Sequence, residues 1–469
     1  MNNNQNPLSE DIFRDHIGTV NEDGKRNWLY PIKPKGKYYN ARNWVTIFYL
    51  IVLFGLPFIK IDGHPFMLLN LMERKFILFG QIFWPQDFFI FALAMITMVV
   101  SIVLFTVAFG RIFCGWVCPQ TIFMEMVFRK IEYLFEGDSM KQRNLTKSSW
   151  SWNKITRRGG KNIVFYLISF IISNTFLAYI IGIDELYKII TEPVTMHMAG
   201  FTSIIIFSLI FFFVFAWFRE QVCIIVCPYG RLQGVMLDKD SVVVAYDYKR
   251  GEPREKIRKN EERTAGDCVD CKQCVRVCPT GIDIRHGTQL ECVNCTACID
   301  ACDDIMEKVN LPKGLIRYAS ENNISTGKPQ KFTKRMKAYS IVLFLLTGLL
   351  VVLLATRKDI ETNILKTRGT VYQKIDKTHF ANMYDVTFIN KTYKSKKLTL
   401  KVEEFDAEIK MIGDNSLVSA ESKTNGRFLL IINKNKLTES KTTVKLAVYE
   451  GDKKIETIKT HFYIPEFLN

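Results

Sequence analysis

Cys268-Val-Asp-Cys271-Lys-Gln-Cys274-Val-Arg-Val-Cys278-Pro279 is followed, after twelve further residues, by Cys292-Val-Asn-Cys295-Thr-Ala-Cys298-Ile-Asp-Ala-Cys302. Both blocks carry the spacing C-x2-C-x2-C-x3-C, which wraps a cubane iron-sulfur cluster with three cysteines and sends the fourth to a neighbouring cluster. On that pattern Cys268, Cys271, Cys274 and Cys302 hold one 4Fe-4S centre, and Cys292, Cys295, Cys298 and Cys278 the second. C-x2-C pairs also bind zinc, and cysteine-rich blocks can be disulfide frameworks. Zinc needs four ligands per ion, however, and has no use for a third C-x2-C step followed by C-x3-C, repeated twice. Pro279 follows Cys278 as the motif expects, whereas Cys302 is followed by Asp303.

Working outward from these blocks, the 469 residues are too many for one ordinary domain, and the 48% hydrophobic residues are unevenly spread. Five windows lack Asp, Glu, Lys and Arg: Asn43–Ile59, Phe88–Gly110, Asn162–Ile183, Pro193–Phe218 and Ala338–Thr356. A membrane span needs about 20 apolar residues, with a workable lower limit of ~17, which the first window only just meets. Five such windows with charged flanks imply an α-helical polytopic membrane bundle. Lys and Arg collect before the first window (seven, Arg14 to Arg42) and between Arg111 and Lys161 (ten), and are sparse in the alternate loops. The positive-inside rule then places the N-terminus and the segment Arg219–Lys337 in the cytoplasm and the tail after Arg357 outside. For a bacterial chain this means the inner membrane, multi-pass, with a periplasmic C-terminal domain. The net charge of +16 follows largely from this sidedness, and no basic-aromatic surface for nucleic acid is visible.

Cysteine usage agrees, because all twelve cysteines fall in the segments expected to face the reducing cytoplasm. The first 40 residues are polar, and no cleavable signal peptide is legible. The expected divisions are a cytoplasmic arm at 1–42, a membrane domain with four spans at 43–237, a cytoplasmic ferredoxin-type domain and linker at 238–337, a fifth span at 338–356 and a periplasmic domain at 357–469. The loop 60–87 is rich in apolar residues and is expected to lie on the membrane surface.

A second cysteine pattern repeats 109 residues apart: Arg111-Ile-Phe-Cys114-Gly-Trp-Val-Cys118-Pro119-Gln120 and Glu220-Gln-Val-Cys223-Ile-Ile-Val-Cys227-Pro228-Tyr229. Each C-x3-C-P follows an apolar span, and cysteines at i and i+4 would share one helix face, with the proline marking where the chain turns away. Thiolate pairs select Cu(I) or zinc, or cycle as a dithiol, while small polarizable cysteines also serve simply to pack helices together. The duplication with proline favours a functional site at Cys114, Cys118, Cys223 and Cys227. His64 and His197, the latter in Met196-His197-Met198, fall on the outside, where His and Met suit copper, although interfacial histidines are usually just solvated.

Val242, Val243 and Val244 suggest a short strand before the cysteine blocks. The tail shows period-two alternation at Val371–Ile375, Asp385–Asn390, Leu398–Val402, Glu408–Ile412, Arg427–Ile432, Thr443–Tyr449 and Ile455–Ile464, separated by turns such as Gly413-Asp414-Asn415. About seven short strands in roughly 100 residues read as an immunoglobulin-like β-sandwich. It has no cysteine and therefore reads as a docking domain without a redox group.

Paired C-x3-C-P motifs after membrane helices, two ferredoxin blocks, a late span and an immunoglobulin-like tail together resemble the CcoG/FixG/RdxA family of cytochrome c oxidase accessory proteins. The resemblance implies a membrane polyferredoxin that acts in maturation of the cbb(3)-type oxidase by reducing Cu(II) to Cu(I). It carries cluster ligation onto the eight cysteines of the two blocks and copper or redox chemistry onto Cys114, Cys118, Cys223 and Cys227. A cytoplasmic electron donor, a copper transporter or chaperone, the oxidase assembly machinery and a second copy of the chain as a homodimer are the partners it allows. The same cysteines would also suit a quinol-linked relay feeding an exported reductase, or an assembly scaffold with structural clusters. No catalytic side chain is singled out.

Overall fold

The computed structural model describes residues 19, 25–61, 63–70, 75–83, 87–257, 265–329, 332–369, 372–376, 378–403, 407–413, 416–433, 437 and 439–464. Arg14, Val371, Asp414 and Asn415, used in the reading above, lie outside the described residues. Five helices are long and apolar enough to cross a membrane. They comprise α1 (Lys37–Gly55, continued by a 3-10 turn to Phe58), α2 (Phe88–Phe109), α3 (Trp152–Ile181), α4 (Met198–Phe213, continued as π-helix to Phe218) and α5 (Lys334–Ala355). The described residues form two compact units, one within Met1–Ile59 and Leu93–Gly348, the other within Lys60–Ala92 and Leu349–Asn469.

The marginal first window becomes a full-length span because α1 begins at Lys37, six residues before Asn43. A helix start leaves four N–H groups without partners. Here the amides of Tyr38 and Tyr39 donate to the Asp300 carboxylate at 3.1 and 2.8 Å, so a residue from the second cysteine block supplies the cap. Gly36 lies against that carboxylate, and any Cβ there would sit 2.3 Å from its carboxyl carbon. Between α3 and α4 the buried hydroxyls of Ser173 and Ser208 lie 2.7 Å apart, a small polar contact of the kind that draws membrane helices together. Phe123, Phe128, Phe165, Ile172 and Phe215 fill the apolar centre of the bundle.

The cysteine blocks lie between strands β1 (Val243–Tyr246) and β2 (Ile316–Ala319), which pair antiparallel and close the module. The short strand expected around Val242–Val244 is therefore present, beginning at Val243. Helices α6 (Gln273–Arg276) and α7 (Ala297–Lys308) each begin one residue before the third cysteine of their block. The one-residue departure after Cys302 has a visible consequence. Pro279 follows α6, which has only four residues, whereas Asp303 permits α7 to run for twelve.

In the second unit, β3 (Ile360–Lys366), β4 (His379–Asn390), β5 (Lys396–Val402), β6 (Ala407–Ile412), β7 (Leu417–Val418), β8 (Lys423–Asn433), β9 (Lys441–Glu450) and β10 (Lys453–Tyr463) build a sandwich. One sheet has the order β6-β8-β4-β3, with the short strand Gln373–Lys374 also paired to β4, and the other has the order β7-β5-β9-β10. Alternate residues face inward: Tyr384, Val386 and Phe388 on β4, Phe428, Leu430 and Ile432 on β8, and Val444, Leu446 and Val448 on β9 are buried. The immunoglobulin-like reading is borne out.

The segment after α1 is built from strands. Met67–Asn70, Lys75–Leu78 and Gln81–Phe83 form an antiparallel three-stranded meander whose Leu68, Ile77 and Ile82 pack with Tyr393. Tyr393 donates its hydroxyl hydrogen to the Gly80 carbonyl at 2.9 Å. Asp87 accepts from Arg357 at 2.8 Å and from Lys391 at 2.6 Å. Pairing satisfies backbone groups along these strands, and Leu68, Ile77 and Ile82 are buried while Phe79 stays exposed.

Candidate metal centre

The two cysteine blocks repeat in backbone as well as in sequence. Asp270 and Lys272 adopt left-handed φ of 47° and 56°, and the equivalent Asn294 and Thr296 adopt 53° and 64°. Asp and Asn tolerate this region, but Lys and β-branched Thr cost on the order of 1–3 kcal/mol there and persist only where the surroundings over-determine them. The effect is to reverse the chain at each x2 step, wrapping successive thiols around one hollow.

Two hollows result. The first is lined by Cys268, Cys271, Cys274 and Cys302, with Tyr246 and Arg285. The second is lined by Cys278, Cys292, Cys295 and Cys298, with Cys274 reaching it from the first block. Each holds about 340 Å³ of space, including its opening to solvent. The two foursomes brought together are those expected from the spacing, including the exchange of the fourth cysteine between blocks. Among the described residues, no three of His, Cys, Asp and Glu are spaced to hold a single bare ion. Eight thiols arranged about two hollows therefore fit a pair of polynuclear clusters, whose irons stand between the sulfurs, better than they fit zinc. Burial pushes the Cys274 and Cys292 thiols up to about 12 and Cys295 up to about 11, so taking up iron would displace protons.

The first C-x3-C-P pair adjoins the second hollow through Cys114. Cys114 packs with Cys295 and Cys298 in one apolar cluster, and Gly115 meets the loop so closely that a Cβ would lie 2.6 Å from the Val293 carbonyl oxygen. Trp116 Nε1 donates to the Tyr318 hydroxyl at 3.0 Å, and Gln233 Nε2 donates to Cys114 Sγ at 3.4 Å. The pairs from the two repeats converge: burial first, then mutual repulsion among Cys114, Cys118, Cys223 and Cys227, pushes Cys223 up to about 12. Within each repeat the expectation of one shared helix face fails. The first helix ends at Trp116, Cys118 is extended at ψ 125°, and a new helix starts at Pro119. Cys227 is likewise extended at ψ 110° before the helix Pro228–Met236. Proline drives its predecessor out of the helical region and is itself well suited to a first helical position, so it starts a helix where a departure was expected.

Three residues beside the second hollow were not singled out from sequence. Arg42 Nη1 donates to the Cys295 carbonyl at 3.1 Å, Arg111 donates to the carbonyls of Leu290 and Gly230, and Asp300 caps α1. Only Arg111 left a sequence signal, as the residue opening the first C-x3-C-P repeat. The histidines read for copper have other partners. His64 stacks on Tyr393 at 3.9 Å and lies 3.3 Å from Glu421, while His197 lies 2.6 Å from Glu192.

Comparison with known proteins agrees with this geometry. Residues 218–321 match the 4Fe-4S dicluster domain model, residues 91–136 a 4Fe-4S binding domain, and residues 350–465 the IG-like fold at the C-terminal of FixG. Together with five membrane helices, these define a membrane-bound iron-sulfur electron-transfer protein. The chain is 31% identical to protein RdxA of Cereibacter sphaeroides over 81% of its own length and 82% of that protein's. It is 31% identical to protein RdxB of the same organism over 84% and 86%, and 34% identical to the nitrogen fixation protein FixG of Rhizobium meliloti over 63% and 58%. The chain belongs to the FixG/RdxA family.

Proposed function

We propose that the chain reduces Cu(II) to Cu(I) in the bacterial inner membrane and supplies the product for assembly of a cbb(3)-type cytochrome c oxidase. In this reading Cys268, Cys271, Cys274 and Cys302 hold one 4Fe-4S cluster, and Cys278, Cys292, Cys295 and Cys298 the other. Such clusters accept and give electrons one at a time, at potentials tuned by charge and exposure. The observation that carries the proposal is that Cys118, Cys223 and Cys227 gather about Cys114, which packs against cysteines of the second hollow. Thiols are soft donors that prefer Cu(I) to Cu(II), so contact with even two of these sulfurs favours the one-electron reduction of the substrate ion. Burial pushes the Cys114 thiol up to about 11, and a bound cation would draw its proton off. Balance requires one electron per copper ion, supplied by a cytoplasmic reductant. The distribution of Lys and Arg supports a cytoplasmic cysteine module and a periplasmic sandwich. The sandwich, which carries no cysteine, supports docking to the copper-handling and oxidase assembly proteins.

Adding Cu(II) to the anaerobically reduced, purified protein tests this. The proposal expects reoxidation of the visible chromophore with an equal amount of Cu(I) formed. Reoxidation by a quinone but not by copper would move the function to a quinol-linked relay. Double replacement of Cys114 and Cys118, or of Cys223 and Cys227, by serine should abolish copper reduction and leave cluster absorbance intact. Unchanged reduction in both variants would remove the pairs from the function.

A further inference from the structure

The two hollows differ in the cations around them. At the first, the lining Lys272 is exposed and screened by water, and Arg285 is buried but paired twice, with Asp270 and with Asp283, each at 2.6 Å, so that trio is net negative. At the second, Arg42 and Arg111 are both 5% exposed and make only backbone hydrogen bonds to protein groups. Among the described residues neither forms an ion pair, and Arg42 Nη2 and Arg111 Nε are buried without a hydrogen-bond partner. Of the carboxylates near this side, Glu125 is held by Arg129 at 2.9 Å and Asp300 by the first amides of α1. Two buried guanidinium groups without a counter-ion are costly unless an anion stands near.

We infer that Arg42 and Arg111 are positioning residues whose unpaired charges stabilise the reduced, more negative form of the centre held by Cys278, Cys292, Cys295 and Cys298, making it the higher-potential of the two. This rests on the reading of both hollows as iron-sulfur sites. Reduction adds one negative charge, and a cation in a low-dielectric setting favours the state that carries it. At the first centre the paired Arg285 has little net charge to contribute. Electrons therefore run downhill from the first centre, where Cys271 is exposed, towards the second, against which Cys114 packs. The protein sets the direction of transfer by leaving the arginines on one side without carboxylates.

The test is an EPR-monitored redox titration of the full-length, purified protein. Cys271→Ser, which alters a ligand of the first centre only, assigns the two signals. The inference expects the signal untouched by Cys271→Ser to have the higher midpoint. In Arg42→Gln that midpoint should fall by about a tenfold change in the reduction equilibrium, about 59 mV for one electron, while the other stays in place. Arg42→Lys should restore most of it, and Arg111→Gln should shift the same signal if Arg42→Gln yields no folded protein. A higher midpoint at the signal Cys271→Ser alters, or no shift in Arg42→Gln and Arg111→Gln, overturns the inference. Wild-type protein without iron or sulfide would instead defeat the underlying reading of the hollows.

Discussion

The sandwich and the cysteine module both rely on buried side chains, yet they are held together in different ways. In the sandwich, Tyr384, Phe388, Phe428, Val444, Leu446 and Phe462 close a continuous apolar core between two sheets, and the backbone is satisfied by long antiparallel ladders. In the module, β1 and β2 offer only a four-residue ladder, and the walls of the two hollows are loops held in left-handed conformations. A region organised around thiol-lined hollows needs its inorganic contents to offset strain and desolvation, whereas the sandwich is complete in its own side chains.

The largest effect that would sharpen this contrast comes from a ligand. Cys298→Ala should remove about half of the bound iron and open the module, seen as loss of amide protection around α7, while the sandwich keeps its melting transition. Melting of both regions together would break the contrast. Phe428→Ala, in the middle of β8 and fully buried, should lower the stability of the sandwich by about 3–5 kcal/mol and leave iron content unchanged. Asp87→Asn strands the buried Arg357, leaves Lys391 with Glu361 alone, and should cost about 3 kcal/mol in the same transition. Burial pushes the Asp87 carboxyl up, but hydrogen bonds from Lys391 and Arg357 outweigh it and leave it below the usual carboxylate range. Its stabilisation is then fully present above the ordinary value of about 3.9 and lost as pH falls through the lower folded value, so Asp87→Asn should flatten the acid limb of the sandwich's melting curve. Smallest of all, Arg427→Ala removes a pair to Asp385 between exposed side chains and should change stability by less than ~1 kcal/mol.

What could be read from sequence divides along the same line. Thiol spacing, apolar windows and period-two alternation are local signals, and they placed the cysteine foursomes, the spans and most strands of the sandwich. The strand Ile360–Lys366 escaped because Thr362 occupies an inward position beside Ile360, which hides the alternation. The meander after α1 was not legible because its buried Leu68, Ile77 and Ile82 pack with Tyr393, over 300 residues further on. Arg42 read as one more positive-inside anchor, although its carbonyl partner is 253 residues away. The two prolines were read as marking where the chain turns away, whereas each begins the next helix.

Chemical analysis of the anaerobically purified protein for iron and acid-labile sulfide is the most direct test of whether two iron-sulfur clusters occupy the hollows. About eight irons and eight sulfides per chain, four of each for every cubane, are expected in a brown sample. A colourless sample containing zinc and no sulfide would contradict both the electron-transfer function and the asymmetry between the two hollows.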